Sequence, residues 1–436
     1  MMTVFRRIPT VAVLTLAMAT LAAAPADAWK GSEETVDGVL HVKNPSEAID
    51  PPMTIELDEV YRLGGWDGGE DEFFGVISDM LVDDDGNVYL LDAQLSEIKI
   101  YDPDGNYLNT IGRAGEGPGE FRGGNRMFWM PNGDIAVNQV FPGRVVTLSK
   151  DGTPGEDFRI NAGPEGEMRI LFSADNAGDN IAVVYGTNSF DQATGKWGQI
   201  RTLAIFDANG DELHSLTEAD LGMNINAPVI TEAMFDGFWN RMMCSDDGRL
   251  VYAPKLHDYE LVLANADGAI DRVIEREYPE HKRTQEQIDE TLEVYKGFTQ
   301  QIPNPNKTYE IEDVHPPIDF GGVFFRPDGS LWVSVSRGSV DAPDDQVGLF
   351  DVYDPKGRFV RQVTLKGDRA DGDAVFFVGD RIYVITQFIN AAMAAQGGGA
   401  NAIDDEEEPE PMSVICYRSS DLDGAANIPG GPADSR

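Results

Sequence analysis

Cysteine is nearly missing from this chain: Cys244 and Cys416 are the two thiols among 436 residues. They could form one disulfide at most, so no disulfide-built scaffold is encoded. Histidine is also scarce, with five residues, none at metal-ligand spacing or inside a zinc-hydrolase motif. Basic side chains number 34 against 75 acidic ones, a formal net charge of -41. Such a polyanion repels nucleic acid and anionic membrane surfaces, so neither is expected as a partner. Among the few basic residues arginine outnumbers lysine, 23 to 11, which makes any arginine cluster worth explaining. No Gly-x-Ser-x-Gly elbow occurs, so triad hydrolysis has no support. Gly115, Gly117 and Gly119 follow a strand, but Pro118 and Phe121 lead into another strand, which excludes a dinucleotide or Walker loop. What is present is a large apolar fraction, 42% with 9% aromatics, enough for a substantial core.

Residues 1–28 read as an export signal. Arg6 and Arg7 make a basic start, 11–24 is apolar, and Ala26-Asp27-Ala28 offers the small residues a signal peptidase requires. The apolar run is shorter than the roughly 20 residues of a membrane span. Phe5 and Pro9 fit a twin-arginine signal poorly, so the choice of export route stays open. The sequence predicts cleavage after Ala28 and a periplasmic or secreted protein, monomeric and without membrane insertion.

Beyond residue 75 short β-rich runs alternate with Asp/Asn-Gly turns. In the first unit the runs 79–83, 88–92, 97–101 and 107–111 are joined by turns at Gly86 and Gly105 and a loop, the pattern of a four-stranded meander. First-turn glycines recur at Gly133, Gly248 and Gly329, more loosely at Gly178 and Gly379; second-turn glycines recur at Gly152, Gly210, Gly268 and Gly357. Six units of roughly 45 residues are a propeller signature. The sixth lacks a fourth strand, and 53–63 alternates in strand fashion without belonging to another unit. The sequence therefore predicts an all-β, six-bladed propeller of four-stranded antiparallel blades over 53–424, its ring closed by that N-terminal strand. A 29–52 extension precedes it and a disordered tail, 425–436, follows. Cys244 and Cys416 fall in blades four and six, too far apart to bridge, and are expected as buried free thiols.

The segment Ile111-Gly112-Arg113-Ala114-Gly115-Glu116-Gly117-Pro118-Gly119-Glu120-Phe121 resembles the blade-linking motif of NHL-type and bacterial six-bladed β-propeller proteins. Residues 86–92 and 98–102 are similar to the same repeats. The resemblance implies the fold and little about function, since such propellers serve as enzymes, receptors and scaffolds.

Tight turns are expected on one face of the disc and long segments on the other: 185–199 in blade three, 336–348 in blade five, 388–411 in blade six, and the 279–317 insert between blades four and five. Insertions gathered on one side mark a working face. In the insert, Thr284 and Gln287 form a capping box, and Ile288, Leu292, Tyr295 and Phe298 share a helix face, predicting a helix lying as a partial lid. The 388–411 loop, with three glycines and the acidic run 404–408, is expected to be flexible and solvated.

Counting back from the first-turn glycines places Asp79, Arg126 and Arg241 at the start of inner strands, with Arg169 aligned in blade three, Gly322 in blade five and Gly372 or Asp373 in blade six. Two readings stay open. Arg126, Arg169 and Arg241 could anchor a carboxylate or phosphate, or could pair with Asp79, Asp373 and nearby acids. Asp79, Asn125, Asn240 and Asp373 also offer hard oxygen ligands suited to Ca2+. That set is similar to the channel calcium of paraoxonase-type lactonases and related sugar-lactone hydrolases, although three arginines oppose a dication there. His257, His281 and His315 are expected on the long-loop face. The preferred function is an exported binding or scaffold propeller for a small anionic ligand or a protein partner. The alternative is a calcium-dependent lactonase- or lyase-like enzyme using the central channel, which lacks an obvious general base.

Overall fold

Asp83 shows how a repeat turn is built. Its carboxylate accepts the backbone N–H of Asp85 at 3.0 Å and of Asn87 at 2.9 Å, while Gly86 N–H donates to the Asp83 carbonyl at 2.9 Å. Gly86 sits at φ +82°, a conformation that glycine adopts without steric cost. Asp102, Asp207 and Asp354 build the same turn. Part of the acidic excess is therefore structural, because each such carboxylate satisfies two backbone donors.

These turns join strands into six blades in the computed structural model, which describes residues 29–141, 143–300, 304–340, 342–343, 345–370, 372–395 and 410–422. Residues 1–28, expected as an export signal, residues 396–409 of the acidic loop and the tail fall outside the described residues. The innermost strands are Ile77–Val82, Gly124–Trp129, Arg169–Ala177, Met242–Cys244, Ile318–Phe325 and Ala374–Val378. Second strands such as Val88–Asp92, Ile135–Gln139 and Leu331–Val335 are buried at every position. Both their faces are covered by neighbouring blades, which is why apolar residues fall on both faces and the few polar ones, Asp92, Asn138, Gln139 and Ser334, are buried too. Six hydrophobic clusters form, each shared between two adjacent blades, including one joining blade six to blade one around Tyr383, Ile385, Val414, Ile77 and Leu90. The protein is an all-β, six-bladed propeller with mostly antiparallel blades and few helices. Cys244 and Cys416 are buried and free.

Several blades depart from the uniform four strands expected. Blade one keeps four, ending at Tyr107–Ile111. Blade two has three, and its outer place is taken by a chain that touches Arg144–Leu148 through bridges at Pro154 and Phe158. Blade four grows to six, because Val39–Asn44 adds parallel to Ile270–Arg276 and Ser32–Val36 adds outside it. The N-terminal extension is thus built into the sheet. Ring closure is divided as well. Met53–Glu56 pairs parallel with Phe359–Lys366 of blade five, the chain crosses at Leu57, and Asp58–Gly64 pairs antiparallel with Ser413–Arg418 of blade six. In blade three, 185–199 is no loop: Asn180–Asp191 and Lys196–Phe206 pair continuously out to Asp191 and Lys196.

Two α-helices lie among the described residues, α1 (Gln285–Phe298) and α2 (Phe388–Ala395). Thr284 caps α1, its side chain accepting from Gln287 N–H while the Gln287 side chain accepts from Thr284 N–H. The apolar face docks on the link between blades three and four, where Phe235 stacks on Tyr295 at 4.7 Å and on Phe298 at 5.3 Å between ring centroids. Residues 388–395, expected to be a flexible loop, form α2.

Candidate functional site

The insertions on the long-loop face enclose a cleft of about 590 Å3. One wall is the first turns of α1, with Thr284, Glu286, Gln287, Glu290 and Thr291; the others come from His315, Asp319 and Phe320, from Ser339 and Val340, from the link 369–374, and from Phe388 and Ile389 of α2. Blades five and six provide its floor.

Each polar wall group has a local reason for its position. Asp319 is fixed by two hydroxyls, Ser334 donating at 2.6 Å and Ser339 at 2.7 Å. Asp373, predicted as a channel ligand, lines the cleft and is 5% exposed. Its two oxygens accept the N–H groups of Ala370 and Gln387, each at 2.8 Å, and burial still pushes its carboxyl above the ordinary range. The Arg369 guanidinium donates to the carbonyls of Val347 at 2.6 Å and Asp373 at 3.4 Å, and its Nε is buried without a partner. Glu286 and Glu290 are exposed on α1. His315 Nε2 lies 3.3 Å from the Gln287 side-chain oxygen, tying the cleft wall to the helix cap.

The three sequence-selected arginines are each held by a carboxylate of their own. Half-buried Arg126 donates to Asp175 of blade three at 3.1 Å. Asp79 lies in the same group, accepting the N–H of Met127 at 2.7 Å and of Met80 at 2.9 Å. Burial pushes Asp79 up to about 6, against the pull of Arg126 and those two amides. Arg169 pairs with Glu212 and lies over the rings of Tyr185 and Phe206, in the layer between blades two and three. Arg241, 2% exposed, forms a bidentate pair with Asp236, whose oxygens lie 2.5 and 2.8 Å away, and donates to the Ile318 carbonyl at 2.8 Å. Burial opposes the Asp236 charge, but Arg241 and the surrounding donors outweigh it and hold the carboxyl below its ordinary range.

The remaining oxygen-ligand candidates are engaged too. Asn125 donates to the Phe172 carbonyl at 2.8 Å and accepts from Asn138 at 2.5 Å; Asn240 donates to Asp236 at 3.0 Å. Asn125 sits beside Arg126, Asn240 beside Arg241, and Asp373 in the cleft. Among the described residues, no group of three or more His, Cys, Asp or Glu side chains is arranged to hold a metal ion. Of the histidines, His281 and His315 come together with ring centroids 4.8 Å apart, while His257 faces the buried Glu232 at 3.0 Å. Arg283 holds the other Glu232 oxygen, so the two legs of the insert rest on a polar layer. Sequence reasoning missed Glu232, whose partners His257 and Arg283 come from other segments, and Arg369 and Asp319, whose partners are brought to them by the loops of blades five and six.

No protein-family model matches the chain, and no curated protein matches it. The NHL-type resemblance therefore has no family-model match behind it. Similar solved structures include a Bacteroides fragilis protein named as a candidate exported protein, 11% identical over 84% of this chain and 99% of that one, TM-score 0.45. Another is a member of the DUF4221 family from Bacteroides vulgatus, 12% identical over 84% and 98%, TM-score 0.45. A third is a virginiamycin B lyase from Staphylococcus aureus, 9% identical over 82% and 98%, TM-score 0.36. These are likenesses of shape and assign no activity.

Proposed function

We propose that this is an exported binding propeller that holds a small polar ligand in the cleft between α1 and blades five and six. The observation carrying this is the origin of the cleft: the α1 insert, α2, and the loops and link of blades five and six converge on one volume. That volume, about 590 Å3, suits a small molecule. A mixed lining of carboxylates, hydroxyls, one guanidinium and the side chains of Phe320, Phe388 and Ile389 suits a ligand with both polar and apolar faces.

The charge of the lining selects among ligands. Glu286, Glu290, Asp319 and Asp373 face Arg369 and His315, which favours a hydroxyl-bearing or amine-bearing ligand over a bare anion. An anion at Arg126, Arg169 or Arg241 would have to displace a carboxylate that is already hydrogen-bonded. Calcium-assisted hydrolysis in the channel would likewise need Asp79, Asn125, Asn240 and Asp373 to leave their present partners.

Thermal melting of the mature protein with panels of saccharides, amines, carboxylates and phosphates tests this proposal. A ligand of the folded state at 100 times its Kd adds about 2.7 kcal/mol of stability. The expected result is a rise with a hydroxyl- or amine-bearing compound that Glu290→Gln or Arg369→Gln abolishes. No rise with any compound would sink small-ligand binding and leave a protein partner on the same face as the better account.

A further inference from the structure

Arg201 is the half-buried arginine whose charge no carboxylate or carbonyl meets among the described residues. It sits in Lys196–Phe206 of blade three, five residues in from the tip of the extended hairpin on the long-loop face. Its guanidinium carbon lies over the rings of Phe172, 4.4 Å from the centroid, and Trp239, 4.2 Å from the centroid. Phe172 comes from the inner strand of blade three and Trp239 from the turn leading into blade four, so the group stands in the cleavage plane between the two blades. Its strand neighbours are Gly186 on one side and Ala219 on the other, and the Phe172 ring lies over Gly186, where a Cβ would meet it at 2.5 Å. The Nε is buried without a hydrogen-bond partner, while the two terminal nitrogens, equally without partners, keep contact with solvent. Burial alone pulls the group down to about 10, with no acid raising it.

This is unexpected in a chain carrying 75 acidic residues. Arg126, Arg169, Arg241, Arg276 and Arg283 are each matched by an acid. Aromatic rings attract a guanidinium through its charge but satisfy none of its N–H donors. Contact with two rings also restrains the group, which leaves its terminal nitrogens to offer the fork of donors that carboxylate and phosphate accept in bidentate fashion. We propose that Arg201, clamped by Phe172 and Trp239, is the anchor of an oxyanion site for a small carboxylate or phosphate at the long-loop end of the interface between blades three and four. The site is separate from the cleft and stands whether or not the cleft binds a ligand.

Calorimetric titration of the mature protein with inorganic phosphate and with succinate tests this, using wild type, Arg201→Gln, Arg201→Lys and Arg418→Gln, an exposed arginine that pairs with Asp380 away from both sites. The expected result is binding of at least one probe, weakened tenfold or more by Arg201→Gln and unchanged by Arg418→Gln. Arg201→Lys keeps the charge but loses the fork, and should also weaken binding. Phosphate binding alone names a phosphate ligand, and succinate binding alone a carboxylate. The proposal is overturned if neither probe binds the wild type, or if Arg201→Gln binds as the wild type does. A lowered melting temperature in Arg201→Gln with no anion binding by the wild type would make Arg201 interblade packing only. Should Arg201→Gln fail to fold, the wild-type titration and Arg201→Lys still decide.

Discussion

Arg126 of blade two and Asp175 of blade three meet at 3.1 Å, with the half-buried Asp79 of blade one beside them. One cation serves two carboxylates: burial raises Asp79 first, Arg126 pulls it down, and the like charge of Asp175 adds to the rise. Removing the rival by Asp175→Asn should leave Arg126 to Asp79 and lower its titration midpoint from about 6. A carboxyl titration followed by NMR measures this. An unchanged midpoint would mean that burial alone governs the group.

The same residue fixes a sign in the pH dependence. The folded pKa of Asp79 lies above its ordinary value near 4, so between about pH 4 and 6 the folded protein holds a proton that the unfolded chain has released. Acidification through that window therefore stabilises at this site. Asp102 and Asp207 act oppositely: backbone and side-chain donors lower their pKa, and their contribution disappears as pH falls below the ordinary carboxylate range. Relative to wild type, the Asp175→Asn melting curve should therefore show a weaker gain between pH 7 and 5.

Arg241 is expected to report in stability, not in ligand affinity. Its bidentate pair with Asp236 and its bond to the Ile318 carbonyl are buried at the junction of blades four and five. Arg241→Ala leaves the half-buried Asp236 carboxylate with the Asn240 amide as its remaining side-chain donor, so the loss should fall at or below the ~3–5 kcal/mol typical of breaking a fully buried pair. Denaturant unfolding checks it; a loss below about 1 kcal/mol would mean that water replaces the guanidinium easily.

The cap of α1 links helix stability to the cleft wall. Thr284→Ala removes the acceptor for Gln287 N–H and should cost about 1 kcal/mol locally. Hydrogen exchange should quicken over 285–298 with the blades unaffected, and any cleft ligand should bind more weakly. Unaltered exchange in the helix would show that Phe235 stacking alone holds it.

Leu63, 2% exposed in the closing strand, tests the ring. Leu63→Ala should cost about 2–5 kcal/mol and lower the whole melting transition, since its cluster joins blade six to blade one. A transition that splits in two instead would show that blade six opens by itself.

The sequence made the blades legible because each carries its own turn chemistry, Asp83-to-Gly86 fashion, within a few residues. The capping box of α1 was legible for the same reason. Parallel additions were not: Val39–Asn44 and Met53–Glu56 join blades hundreds of residues away, with no turn to announce the pairing. At the channel, register placed Asp79 and Arg126 near each other but selected Arg169 in blade three, where Asp175 stands. The hairpin there is tight, Ala177 pairing with Asn180 around Gly178 and Asp179, so counting on a longer turn overshot. Arg201 left no trace, because its surroundings are two rings from other segments and the missing acid is visible only in space.

The crossing at Leu57 has a consequence for the order in which the molecule takes shape. Asn44 accepts from the N–H of Phe359, 315 residues later, and the next stretch of chain completes blades five and six in turn. The earliest strands of the propeller are a tongue that waits for its buckle, made last. Early blades can stack as they emerge, but the circle cannot lock until both ends of a long path have found each other. Loop closure over such a span is slow. Until the last blade arrives, the two ends of the ring stay free of each other.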